Sequence, residues 1–158
     1  MKPLLATAIL SLTVAASAVA APPDLRGGTP AEWEAAFGQG AVSDPLGLTR
    51  STVLYTDGRL PRVKATLQGA VWKGKLFPGD GTFTNLWVGG VRAGHADTAV
   101  EPSWLDGQPV LAVHYPPTAL VFSRTRDELR EVSPGVWLGR SFDTATGTPK
   151  SWFLLRGR

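Results

Sequence analysis

From residue 64 onward, short β-favouring runs are cut at regular intervals by turn signals, and this rhythm constrains the fold more than any single motif. The runs ATLQGAVWKGKLF, TFTNLWV, VLAVHY, TALVF with RTRDELREV, VWLGRSF and KSWFLLR are punctuated by PGDG, GG, PP, SPG and TATGTP. Seven or eight strands at a spacing of roughly 8 to 12 residues predict a sandwich or a barrel, and no helical period is read in this stretch. Connections such as Gly89-Gly90 and Asp106-Gly107 are too short for Greek-key crossovers and favour sequential hairpins. Closing those hairpins into a cylinder also removes the exposed edges of an open sheet. The expectation is a mainly β protein, an antiparallel up-and-down β-barrel over residues 63–158.

The first part of the chain reads differently. Residues 1–20 have a basic start at Lys2, an apolar stretch and the small triplet Ala18-Val19-Ala20, the pattern of a signal peptide cleaved near Ala20. A secreted or periplasmic location is therefore expected. Thr7, Ser11, Thr13 and Ser17 interrupt the apolar run, which argues against a stable membrane anchor. Residues 21–62 read as a Pro/Gly-rich leader, a short helix and an irregular segment. The helix is predicted over residues 30–37: Thr29 is an N-cap, Pro30 fits the first position, Glu32 completes a capping box and Gly38 stops it. Pro45, Gly47, Gly58 and Pro61 break every period in residues 43–62, leaving only a possible strand at 52–55.

Composition narrows the chemistry. The chain has no cysteine, so an exported location brings no disulfide scaffold and thiol catalysis is excluded. Sixteen Lys and Arg against 13 Asp and Glu leave a formal charge of only +3, too little for a nucleic-acid partner. The two histidines, His95 and His114, do not supply the three protein ligands of a catalytic zinc. Ser141 in GRSFD lacks the second glycine of a nucleophile elbow, and PGDGTFTN lacks the Gly-Lys-Ser/Thr of a phosphate loop. No cofactor and no metal are expected.

Two segments carry a resemblance. Gly69-Ala-Val-Trp72-Lys-Gly74 resembles the Gly-x-Trp-x-Gly opening of the first strand in lipocalin-like (calycin-type) bacterial barrels, with one extra residue before the Trp. LDGQPVLAVHY followed by RDELREVSPGVWLGR is similar to paired strands of the same family. The resemblance spans about residues 64–156. It implies a lipocalin-like barrel with Trp72 as a plug at one end, and it leaves function open, because this barrel hosts carriers, enzymes and inhibitors alike.

Strand alternation then assigns faces. Val110, Ala112 and His114 share one side of their strand, and Leu111, Val113 and Tyr115 the other. Trp72 is expected inside, with Lys73 and Lys75 facing water. On the 124–132 strand, Leu129 is the large apolar residue of its face, so the pattern points Asp127, Leu129 and Glu131 inward and makes Arg126, Glu128 and Arg130 a solvated ladder. The alternative puts that Arg-Glu-Arg row inside, where one guanidinium could fork onto an anionic group beside Tyr115, His114 and Arg140. Trp72, His114, Tyr115, Arg126, Glu128, Arg130 and Arg140 are thus the candidate ligand-binding residues. Of the six tryptophans most fit core packing, and an exposed subset could stack on carbohydrate. The expected function is an exported barrel that binds a small lipophilic ligand, with a carboxylate as one candidate head group. Two alternatives stand beside it: a cofactor-free hydrolase or isomerase using His114 with Glu128 or Asp127, and an envelope protein-interaction module with a packed interior.

Overall fold

The computed structural model describes residues 24–119 and 122–157. The expected signal segment and the leader up to Pro23 lie outside them. After a 3-10 turn at Leu25–Gly27, helix α1 spans Pro30–Gln39. Its capping box forms as read: Thr29 accepts from the Glu32 backbone N–H, and Glu32 accepts from that of Thr29 at 2.7 Å. The helix passes Gly38 and stops at Gly40.

Eight strands follow: β1 (Gly47–Thr56), β2 (Trp72–Phe77), β3 (Thr82–Trp87), β4 (Arg92–Pro102), β5 (Pro109–His114), β6 (Thr125–Ser133), β7 (Val136–Asp143) and β8 (Pro149–Gly157). Each pairs antiparallel with the next, and β1 closes on β8, giving an up-and-down barrel. Helix α2 (Pro61–Val71) lies between β1 and β2.

Three expectations are corrected here. Residues 43–62 are not mainly irregular: the possible strand at 52–55 lies within β1, which occupies Gly47–Thr56, so the barrel starts well before residue 63. Its partners β2 and β8 are distant in sequence, which lets non-local pairing override weak local signals. The stretch after residue 64 does contain a helix, because α2 runs to Val71. Gly69 therefore sits in a helix, and Trp72 opens the second strand rather than the first.

The β5–β8 part of the sheet is covered on both sides. The inner core contains Phe77, Phe83, Leu111, Val113, Leu129, Trp137, Phe153 and Leu155. A second core lies outside the wall, where Leu25, Trp33 and Phe37 pack on Val110, Ala112, Leu138, Trp152 and Leu154. This outer layer explains why β5, β7 and β8 are apolar on both faces, a pattern usual for sheets covered by helices.

Candidate functional site

The interior is layered along its axis. One end is filled by Phe77, Phe83, Leu111, Leu129, Trp137 and Leu155. The other, beneath α2, encloses a cavity of about 630 Å³ with Trp72, Trp87, Phe122 and Phe153 in its walls. A polar layer separates the two: Lys75, Asn85, Tyr115, Asp127 and Ser141 form the cavity floor.

Lys75 is the hub of that floor and is completely buried. Its ammonium donates to Tyr115 Oη at 2.8 Å, Asp127 Oδ2 at 3.0 Å and Asn85 Oδ1 at 3.2 Å, which uses all three N–H bonds. It also lies 4.0 Å from the centre of the Phe83 ring. Ser141 donates to Asp127 Oδ1 at 2.6 Å, and Trp72 Nε1 donates to Asn85 Oδ1 at 3.0 Å. Burial pushes the Lys75 pKa down, and the Asp127 carboxylate opposes that shift. Burial, reinforced by Asp127, holds the Tyr115 phenol well above its usual range, so it remains a neutral donor to Asp127 Oδ2.

Strict alternation placed Lys75 outside, and the structure overturns that. The β2–β3 register shifts between Trp72 and Gly74, so Trp72 and Lys75 both face inward while Lys73 faces solvent. Gly74 is at φ 153°, and a Cβ there would lie 1.9 Å from the Thr49 carbonyl oxygen, so only glycine fits the bulge. An isolated glycine within a strand was the available signal for such a bulge. Trp72 is inside as expected, but at the α2 end of the barrel, as part of the cavity wall rather than a plug of the closed end.

Of the other candidate residues, Tyr115 also belongs to the cavity. His114 lies on the outside, its side chain 44% exposed and 2.9 Å from Glu101. Arg126, Glu128, Arg130 and Arg140 are also outside, yet all are buried. Neither reading of the 124–132 strand therefore holds in full: Leu129 does point inward, but its opposite face is neither a solvated ladder nor a lumen site. The β4–β5 connection folds over the wall and covers it. Glu128 accepts from Arg126 Nε, Ser103 Oγ and the Trp104 backbone N–H at 2.6 to 2.9 Å. Arg130 forks onto Asp106 at 2.6 and 2.7 Å and donates to the carbonyls of Phe37, Gln108 and Pro109. Its five N–H bonds are all used, so no fork is left for a ligand. Arg140 stacks on Trp152 and reaches Asp57 at 3.5 Å. The proposed catalytic pairs are not assembled either: His114 and Glu128 engage different partners, and His114 and Asp127 lie on opposite sides of the wall.

Fold and site together define a closed eight-stranded antiparallel barrel with an internal cavity at its α2 end, an architecture compatible with ligand binding. Comparison of the sequence with family models and with curated proteins gives no match. Among solved structures, the chain is similar to one described as the crystal structure of a protein from Thermomonospora curvata. The TM-score is 0.60 and the identity 18%, over 82% of this chain and 88% of that one. At that identity the likeness shows the shared fold alone.

Proposed function

We propose that the protein binds a lipophilic small molecule inside the barrel, with a carboxylate or similar anionic group held at the mouth. The cavity carries this reading: about 630 Å³ bounded by four aromatic side chains, within the ~300 to 1,000 Å³ usual for small-molecule sites. The floor is electrically balanced because Lys75 and Asp127 neutralise each other. At the rim, Lys64 and Lys150 line the opening, and neither joins an ion pair among the described residues. An acid with its tail between the aromatic walls and its head at these lysines satisfies both regions. The proposal includes export, supported by the pattern of residues 1–20, and a lipocalin-like affinity, supported by the strand order of the closed barrel.

Titration with 11-(dansylamino)undecanoic acid tests this. Saturable one-to-one binding is expected, with quenching of tryptophan fluorescence through Trp72 and Trp87. Lys64→Ala and Lys150→Ala are each expected to weaken the acid about 10-fold, the loss of one charge-assisted contact apiece, and to leave the corresponding alcohol unchanged. No saturable signal across a series of tail lengths overturns the reading.

A further inference from the structure

Helix α2 turns its large apolar residues the wrong way for a helix that covers a core. Its buried residue is Ala65, with Pro61 and Gly69 partly buried one turn to either side. Leu60, Val63, Leu67 and Val71, spaced i, i+3, i+7 and i+11, face solvent with exposures of 68, 53, 65 and 45%. Leu60, the N-cap, is held at φ 55°, a left-handed conformation that is costly for a bulky side chain. The stripe continues across the barrel mouth. Trp72 pairs with Trp87, which places Val71 beside the β3–β4 connection, where Val88 and Val91 are 56 and 57% exposed.

The charge around this patch is one-sided. Between Asp57 and Asp80 the chain has no acidic residue, while Arg59, Arg62, Lys64 and Lys73 are exposed there, and Arg92 is exposed next to Val91. An outward apolar stripe flanked by cations, with the nearest acid along the chain, Asp57, set against Arg140 at 3.5 Å, matches a helix lying in the headgroup plane of an anionic bilayer. A second copy fits less well, since two such patches would bring unbalanced positive charge together.

We propose that the mouth end of the barrel docks on anionic lipid surfaces through the outer face of α2 and the Val88 to Val91 connection. This goes beyond the ligand reading and does not depend on it. The stripe and its cations exist whatever the cavity holds, and the dansyl titration fails or succeeds separately.

Because the full chain contains no cysteine, Leu67→Cys can be labelled uniquely with the environment-sensitive dye NBD. Gln108→Cys, in the connection at the closed end, serves as the control. With phosphatidylcholine vesicles containing phosphatidylglycerol, the label at 67 is expected to shift to the blue and brighten several-fold. High salt should reverse this, Val63→Glu in the same chain should abolish it, and the label at 108 should not respond. Pure phosphatidylcholine should give little change. No response at 67 overturns the proposal, as does an equal response at 108. A shift that follows protein concentration without vesicles also overturns it, in favour of self-association.

Discussion

Lys75 is the residue on which the interior turns. A fully buried ammonium is tolerated because Asp127, Asn85 and Tyr115 accept hydrogen bonds from its three N–H groups and aromatic faces surround it. Removing one partner of such a pair leaves an uncompensated charge, at a cost of roughly 3 to 5 kcal/mol. Asp127→Leu is therefore expected to lower stability by about that much in urea unfolding, and adding Lys75→Met should recover most of the loss. Equal losses in the single and double variants would show that the pair is not the source. In the sequence Lys75 looks like its neighbour Lys73. One glycine between them reverses which faces inward, and alternation counting has no term for that residue. The face that Tyr115 shares with Leu111 and Val113, by contrast, was readable, because no bulge interrupts the strand between Pro109 and His114; which face points inward was not.

At the scale of elements, the β4–β5 connection is a strap pinned across the outer wall. The Arg130 guanidinium beside Asp106 holds its carboxyl below the ordinary aspartate range. A carboxylate with a depressed folded pKa adds stability that is present above its unfolded value and is lost as pH falls through the folded one. Stability should therefore drop with acid below about pH 4, near the ordinary aspartate value. Asp106→Asn should flatten that part of the profile when urea midpoints are measured against pH. An unchanged slope would remove Asp106 from the account. The strap also explains why the charged face of β6 misled a reading by pattern. Arg126, Glu128 and Arg130 do face away from the lumen, but a connection in the adjacent hairpin covers them. Strand periodicity reports which residues share a face and is silent on what covers that face.

For the whole molecule, the important feature is a sheet held between two cores. Phe37 is fully buried in the outer one, edge-on to Trp152 at 5.7 Å and under the Arg130 guanidinium. Phe37→Ala is expected to cost about 3 to 5 kcal/mol. Because β7 and β8 belong to both cores, unfolding should still show one transition by tryptophan fluorescence and far-ultraviolet dichroism. Separate transitions would mean that α1 unfolds independently of the barrel.

The amino-acid order alone determined what depends on neighbours in the chain: the capping box of α1, the hairpin rhythm, and the common face of Leu111, Val113 and Tyr115. These follow from backbone propensities and side-chain periods acting over a few residues. The closure of β1 on β8, the seating of α2 on Ala65, the burial of Lys75 and the cover over Arg130 were decided only by the tertiary structure. Apart from α2, which packs mainly on the neighbouring β1, each depends on contacts between segments tens of residues apart. There a buried polar group is stable only when specific distant partners complete its hydrogen bonds.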